Sequence, residues 1–453
     1  MEDFRTNPQI MKTFEEGFDG IPENLADLHQ TKPTQVAYRS SRFERFTPKA
    51  GMDGDFIKIP ISGGQNEFID VSAIKVCFTV KIARKNGTHI PADHADGLAC
   101  FVNGIGTAFF KNVTVRMNNQ LLNPDDSYYA HKADIENKLY STQPYKEHIL
   151  PEIGYLEEKD IFDGSTDAFN PDAAARDREK TFFERYSWTN GSTPLEISSR
   201  IHSPLFDQLK PLIPGTNLEI TFQKNSQNFV LLTNVAQPHV ILTDFAVEVK
   251  FDLCDPEIIT DIILQTTKDP LKYQLRIPKI IPFPKAPNLM DLSIHNVFST
   301  TTHLPRKIFV AMVKQTAEQG TRNEDPFAYQ SFHVNSISLV IAGETRPRLE
   351  LDTTLKRFNA LCAATENVLQ GESNGWNRFN YATRNAIVGW DLSPTRSGPL
   401  ESFSMNSNEN VSILIKLSAP NDFPITVLLY VEYEEEMLVD AHGTLLNQSF
   451  AIL

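Results

Sequence analysis

The sequence has few cysteines and no long apolar run. The four cysteines, Cys77, Cys100, Cys254 and Cys362, lie far apart and form no CxxC pair. This excludes a disulfide framework and a clustered zinc site, so we expect reduced thiols in the core of a protein that folds inside a cell. Apolar runs of about 18 residues are absent, so no membrane-spanning helix is expected. The start, Met1-Glu2-Asp3-Phe4, has no signal-peptide pattern, which predicts synthesis without a secretory route.

Catalytic signatures are missing as well. The motifs GxxxxGK[ST], HExxH and GxSxG do not occur, and these mark common nucleotide, zinc and serine chemistries. Residues 104–106 (GIG) lack the third glycine and the surrounding βαβ unit of a phosphate loop. His202 lies near Asp207 in sequence, but such neighbours do not make a triad. His89 and His94 are most simply part of a solvated loop. We predict no catalytic, cofactor-binding or metal-binding residue.

The chain has fewer basic than acidic residues. The chain has 43 Lys and Arg against 57 Asp and Glu, a formal net charge of −14, and it therefore repels phosphate backbones and is not mainly a DNA binder. One segment mixes basic and aromatic residues, so Arg39, Arg42, Arg45 and Lys49 are candidates for an inner-face contact with nucleic acid. The favoured alternative is an arm that packs under its own or a neighbouring subunit.

Strand patterns dominate what the sequence does contain. It has 28 prolines and 30 phenylalanines, and many prolines between short apolar runs favour strands and loops over long helices. Apolar and polar residues alternate over 56–61, 74–82, 218–223 and 245–251. Such alternation predicts half-buried strands, so the fold class is all-β.

A repeat divides the chain into two similar halves. Residues 110–120 and 332–344 each predict a strand that runs into a turn, and each is followed by a predicted helix, over 128–141 and 353–369. Both halves also end in a pair of predicted strands. Each half is of a size that suits an eight-stranded antiparallel sandwich.

These patterns predict five segments. Residues 1–50 form an N-terminal arm, 51–255 the first sandwich, 256–270 a connector, 271–440 the second sandwich and 441–453 a C-terminal tail. Residues 150–190 are polar and acidic, and we expect them to be a long exposed loop within the first sandwich.

Two stretches carry a resemblance to a known family. Residues 102–113 (VNGIGTAFFKNV) and 128–139 (YYAHKADIENKL) resemble the major capsid protein of Polintons, or Mavericks, which are virus-like transposons of eukaryotes. Shorter motifs agree in order along most of the chain: PTQ at 33–35, FIDV at 68–71, SPLF at 203–206, LPRK at 304–307, DPF at 325–327 and GWDLSP at 389–394.

The resemblance implies a double jelly roll, with two tandem eight-stranded antiparallel sandwiches, short inserted helices and an N-terminal arm. Three subunits would form a pseudo-hexameric capsomer of an icosahedral shell, made in a eukaryotic host cell. The implied partners are two further copies, neighbouring capsomers and a penton or minor capsid protein, with weak or indirect contact to the genome. The inserted helices would supply intersubunit contacts through Tyr128, Tyr129, Ile135, Leu139, Leu355, Phe358 and Leu361.

Two other functions stay open at this point. Jelly-roll folds host several activities, so an enzyme or a carbohydrate-binding protein with a polar cleft between the sandwiches is one alternative. The other is a host protein that derives from a capsid gene and now serves as a binding scaffold. Only genomic context would separate that protein from a capsid protein.

Overall fold

The computed structural model describes residues 35, 37–49, 51–92, 97–122, 127–158, 162, 168–169, 179–298, 304–345, 350–365, 374–378, 380–393 and 409–447. The strands are β1 (Tyr38–Phe46), β2 (Phe56–Ser62), β3 (Glu67–Arg84), β4 (Ala99–Phe101), β5 (Phe110–Met117), β6 (Gln120–Leu121), β7 (Leu195–Arg200), β8 (Asn217–Lys224), β9 (Leu231–Thr233), β10 (Pro238–Cys254), β11 (Leu271–Lys285), β12 (Lys307–Lys314), β13 (Val334–Ile341), β14 (Glu344–Thr345), β15 (Val388–Asp391), β16 (Val411–Leu417) and β17 (Ile425–Val439). The α-helices are α1 (Ile105–Ala108), α2 (Tyr129–Tyr140), α3 (Gln143–His148), α4 (Lys180–Thr189), α5 (Gln227–Val230), α6 (Pro256–Lys268), α7 (Gln315–Gln319), α8 (Thr354–Ala364) and α9 (Tyr381–Arg384).

The first half folds into two antiparallel sheets packed face to face. Sheet I has the order β1-β10-β3-β7 and sheet II the order β2-β8-β5-β6. The chain crosses repeatedly from one sheet to the other, which is the winding of a jelly roll. Between the sheets lies a group of phenylalanine rings with centroids 5.0–6.1 Å apart: Phe78, Phe109, Phe110, Phe222 and Phe245.

The second half repeats this winding. Sheet III has the order β11-β17-β12-β15, and sheet IV has the order β14-β13-β16. Bridges from Asp291 to Lys416 and from Ile294 to Ile413 extend sheet IV beside β16, where β2 lies beside β8 in the first half. The strand orders of the two halves therefore correspond, and the predicted double jelly roll is confirmed.

The repeated strand-and-turn units occupy equivalent places. The β5–β6 hairpin turns at Asn118 and Asn119, with φ values of 46° and 67°, and the β13–β14 hairpin at Ala342 and Gly343, with φ values of 52° and 85°. Two central residues with positive φ are characteristic of a type I′ turn. A helix follows each hairpin, namely α2 and α8. The last part of the second predicted helix, residues 366–369, lies outside the described residues.

Part of the predicted arm is a strand. β1 pairs with β10 along its whole length, from Tyr38 opposite Cys254 to Phe46 opposite Val247. Residues Tyr38–Phe46 of the predicted arm therefore form an edge of sheet I. Its residues are exposed on both faces, except Glu44 and Phe46, which are partly buried, and several carry charge. The strand therefore lacks the alternation that reveals a half-buried strand. Residues 1–34 lie outside the described residues.

The predicted exposed loop over 150–190 also needs correction. Its described part contains a short 3-10 helix, Leu150–Ile153, and the helix α4. Phe162, Phe169 and Phe182 are buried, with ring centroids 4.8–5.7 Å apart. The many acidic residues suggested solvent exposure, but three widely spaced phenylalanines build a small aromatic cluster.

Sheet III differs from sheet I in being buried on both faces. In β12, Ile308, Val310 and Met312 belong to the main core, whereas Phe309 and Ala311 belong to a second cluster on the other face. All five are at most 4% exposed. A sheet with one wet face shows alternating burial, so another part of the molecule must cover the outer face of sheet III.

Candidate assembly surfaces

Helix α2 covers the outer face of sheet III. It lies in the β6–β7 connection of the first half, yet Ile135 and Leu139 join the second apolar cluster with Phe309, Leu428 and Tyr430. Both α2 residues are 0% exposed. The helix thus packs one sandwich against the other inside a single chain.

Hydrogen bonds orient this helix on the sheet. The Tyr140 hydroxyl donates to Glu432 Oε1 at 2.6 Å, and Lys138 Nζ donates to the Phe327 carbonyl at 2.7 Å. Both acceptors belong to the second half. A buried polar group without a partner is costly, so these bonds favour one docked position of α2 over others.

Two charged residues of α2, Glu136 and Lys138, have shifted pKa values. Burial lowers the pKa of Lys138, and Asp134, whose carboxylate oxygen is 2.8 Å from Nζ, opposes that shift. Burial raises the pKa of Glu136 and lowers that of His202 well below its usual range. Glu136 Oε2 and His202 Nδ1 are 2.5 Å apart, a distance at which one proton shared between them satisfies both atoms.

A second buried network also joins the halves. The Arg384 guanidinium forms ion pairs with Asp325 of its own half and with Glu158 of the first half. Glu158 also pairs with Arg185. All four side chains are at most 5% exposed, and burial lowers the pKa of Arg384 to about 10. Loss of one partner would leave an uncompensated buried charge, so the network resists separation of the sandwiches.

The predicted intersubunit residues divide into two groups. Tyr129, Ile135, Leu139 and Leu361 are at most 2% exposed within the chain itself. The prediction is wrong for these four, because their own chain already covers them. Tyr128 and Phe358 are partly buried against the second cluster, whereas Leu355 is 47% exposed. An intersubunit contact at Tyr128, Leu355 and Phe358 stays a prediction.

The basic residues of β1 lie on the exposed edge of sheet I, with Lys49 just beyond it. The arginines are paired with carboxylates: Arg39 with Asp255, Arg42 with Glu67, and Arg45 with Asp244. These carboxylates offset the positive charge that phosphate would need. Contact between these residues and nucleic acid stays a prediction.

Helix α8 is the counterpart of α2 but is only half covered. It lies in the β14–β15 connection, as α2 lies in the β6–β7 connection. Ala360, Leu361 and Ala364 are buried against its own half, whereas Leu355 and Asn359 face solvent. The exposed side of α8 is therefore available to a partner.

The outer face of sheet I is the counterpart of the surface that α2 covers. We call it the open face and define it by Phe43, Arg45, Cys77, Glu196, Ser198 and Glu248. Most of these residues line a cavity of about 430 Å³, and Phe43, two residues from Arg45 and hence on the same face, is 69% exposed. In the described part of the chain, short helical turns contact β3 and β7 of this sheet, among them Leu150–Ile153, whose Glu152 lines the cavity. No helix as long as α2 packs across the face in that part of the chain.

Two kinds of feature are absent from the residues that the structure describes. No helix there is long and apolar enough to cross a bilayer. No group of three or more His, Cys, Asp or Glu side chains in that part of the chain could hold a metal ion. Cys77 and Cys362 are partly exposed, so the expectation of core thiols is correct only for Cys100 and Cys254.

No family model matches the chain. An uncharacterised protein of Caenorhabditis elegans is 22% identical over 405 residues, which cover 84% of this chain and 90% of that protein. A chain of the Sputnik virophage has a TM-score of 0.63 at 11% identity, covering 94% of this chain and 92% of its own. The Faustovirus major capsid protein has a TM-score of 0.56 at 10% identity, covering 95% and 96%. The mavirus major capsid protein has a TM-score of 0.52 at 11% identity, covering 94% of this chain and 93% of its own.

These likenesses extend over both sandwiches and over nearly the whole of each solved chain. A protein with one matching jelly roll would be covered over about half its length. The protein therefore has the double jelly-roll fold that these viral major capsid proteins share.

Proposed function

We propose that this protein is a structural, non-catalytic major capsid protein of the Polinton type. Three copies form a pseudo-hexameric capsomer, and capsomers tile an icosahedral shell. The fold likeness to major capsid proteins of mavirus and Faustovirus supports the capsid role. The ordered motifs from residue 33 to residue 394 support the Polinton type.

One observation carries the trimer: equivalent faces of the two sandwiches are covered unequally. The outer face of sheet III receives α2 from the other sandwich, whereas the open face of sheet I receives no such helix in the described part of the chain. Helix α8 lies in its half where α2 lies in the other half, and one side of it is exposed. In the trimer, α8 of one copy would pack on the open face of the next. Such a contact joins two different surfaces. When it is repeated from copy to copy, the copies form a closed ring only if each is rotated from the last by the right angle. Three copies with two similar sandwiches each would close it.

The proposal also sets the limits of the domains. The first sandwich would run to residue 255 and would include β1, the second would span 271–440, and 256–270 would connect them. Residues 441–453 would form the tail. The described part of the tail contacts the first half, because Asn118 Nδ2 donates to the Gly443 carbonyl at 2.9 Å.

In a virion, the remaining partners would be neighbouring capsomers and a penton or minor capsid protein. The ion-paired arginines of β1 make contact with the genome weak or indirect. The protein would be made in a eukaryotic host cell and would be located in the shell.

Size-exclusion chromatography with light scattering tests the proposal. At micromolar concentration we expect a mass three times that of the 51.1 kDa chain. A stable monomer under the same conditions would contradict the trimer. Electron micrographs of the same sample should show hexagonal capsomers or shells.

A second candidate is a host protein derived from a capsid gene and used as a scaffold. The relative from Caenorhabditis elegans, which matches over most of both chains, is expected for a host protein and for a transposon protein alike. A trimer that never assembles into shells would support this candidate over the first. An enzyme or a carbohydrate-binding protein is less well supported, because α2 fills the space between the sandwiches where a cleft would lie.

A further inference from the structure

An apolar groove lies where the described chain begins. Its volume is about 620 Å³, within the range of roughly 300–1,000 Å³ that binding pockets show. Helix α6 forms one wall, and the starts of β1 and β11 contribute to the others. The apolar lining residues are Ala37, Tyr38, Phe68, Ile213, Cys254, Ile258, Ile262 and Leu271.

The groove is built on a firm base. Phe68, Ile213, Cys254 and Ile259 form a buried cluster and are each at most 5% exposed. The side chain of Asp255 caps the first turn of α6 by accepting from the Glu257 amide at 3.2 Å, which stabilises the helix start. The groove is therefore a preformed surface and does not depend on an occupant for its shape.

The chain itself supplies a suitable occupant. Residues 1–34 directly precede the groove, because Ala37 is part of its lining. This segment carries large apolar residues three or four positions apart: Ile10, Phe14, Phe18, Ile21, Leu25 and Leu28. Pro22 would interrupt a helix, so such spacing would place Ile10, Phe14 and Phe18 on one side of a helical peptide before it, and Leu25 and Leu28 on one side after it. Short apolar stripes of this kind suit an apolar groove.

Charge is complementary as well. Residues 1–34 contain seven acidic residues and three basic ones, whereas the groove is lined by two lysines, Lys210 and Lys272, and one acid, Asp269. Lys272 is 51% exposed and its pairing with Asp269, at 3.3 Å, is on the surface. Surface pairs of this kind are weak, so Lys272 can exchange its partner for an acid of the segment.

We propose that residues 10–28 bind in this groove of their own molecule. The apolar side chains would contact Ile258, Ile262 and Phe68, with acidic residues toward Lys210 and Lys272. The eight residues between Leu28 and Ala37 let these two lie up to about 30 Å apart when extended, enough to cross the groove. The tether also raises the effective concentration into the millimolar range, so a weak contact suffices. This inference is independent of the capsid role.

Hydrogen exchange on the full chain tests the proposal. If the segment is bound about 90% of the time, its amides exchange about tenfold more slowly than in the isolated 1–34 peptide. Ile262→Glu should restore the peptide rate, and the matched control Thr267→Glu, on the exposed side of α6, should not. The double variant Phe14→Ser, Phe18→Ser should also restore it without altering the sandwiches. Equal rates in the full chain and the peptide would overturn the proposal.

Cross-linking distinguishes binding in the groove of the same molecule from binding in the groove of a neighbouring molecule. The test uses the variant Phe18→Cys, Gln265→Cys, in which the four native cysteines are replaced, and joins its two thiols; Gln265 lines the groove. A cross-linked product with the mass of one chain supports the proposal. A product with twice that mass would overturn binding within one molecule, and no product would overturn binding in the groove.

Discussion

His131 on α2 lies among aromatic rings, away from water. Its ring centroid is 5.6 Å from that of Phe229 and 5.4 Å from that of Phe327, and Nδ1 is 3.5 Å from the Tyr329 hydroxyl. Burial, with a smaller contribution from Lys138, lowers the pKa of His131 to about 3. The imidazole is therefore neutral in the folded protein throughout the physiological range of pH.

This shift predicts acid sensitivity. Below about pH 6.5 the unfolded chain protonates His131 and the folded protein does not, so its contribution to stability declines as pH falls toward 3. By pH 5.5 the loss is about 1.4 kcal/mol. Urea unfolding at pH 7.5 and 5.5 gives the free energy of unfolding at each pH. Between the two, His131→Phe should lose about 1.4 kcal/mol less of it than the wild type loses. The control His295→Phe, at an exposed position, should behave as the wild type; equal losses in all three would contradict the assignment.

At the scale of elements, α8 approaches β15 unusually closely at Gly389. A Cβ atom added there would lie 2.6 Å from ring carbons of Phe309 and 3.1 Å from Cβ of Ala364. The Phe309 ring belongs to the cluster that also receives α2. Gly389 therefore lets one strand of sheet III accommodate α8 and the aromatic cluster together.

We expect Gly389→Val to displace α8 from sheet III and to lower the free energy of unfolding by about 1–3 kcal/mol, the usual cost of overpacking. Gly54→Val is the matched control, because the nearest atom to a Cβ there is 4.0 Å away. Urea unfolding of both variants would measure the difference. Equal stabilities would mean that the contact at Gly389 relaxes at no cost.

At the scale of the whole molecule, the open face of sheet I and the exposed side of α8 should meet between copies. Phe43→Glu on the open face and Leu355→Glu on α8 place a charge where the trimer would be dry, so each should yield monomers. Phe56, on β2 of sheet II, is 57% exposed and lies outside both surfaces. Light scattering should find Phe56→Glu as trimeric as the wild type.

The results for these variants distinguish two questions: whether the protein is a trimer, and whether the trimer uses the open face and α8. If Phe43→Glu and Leu355→Glu both remain trimeric while the wild type is trimeric, the trimer uses other surfaces. If all three variants dissociate, the effect is not specific to the open face and α8. Circular dichroism on each variant shows that the sandwiches are intact.

Local patterns in the sequence predicted much of this molecule. Alternation identified β3, β8 and β10, and the equivalent turns at Asn118 and Gly343 showed that the two halves are copies. The unbroken apolar run of β12 signals burial on both faces, although it does not show what covers the outer one. No signal of this kind indicated that β1 is a strand.

By itself, the sequence determined the fold class, the duplication and the position of the two inserted helices, because side-chain alternation and turn preferences act over a few neighbouring residues. Only the tertiary structure decided what those helices cover. Pairing of Tyr38 with Cys254, and of α2 with sheet III, depends on residues far apart in the chain. Such contacts form only when burial and hydrogen bonding stabilise them by more than the conformational entropy lost in ordering the intervening chain. In the part of the chain that the structure describes, that balance encloses α2 and leaves one side of α8 and the open face exposed.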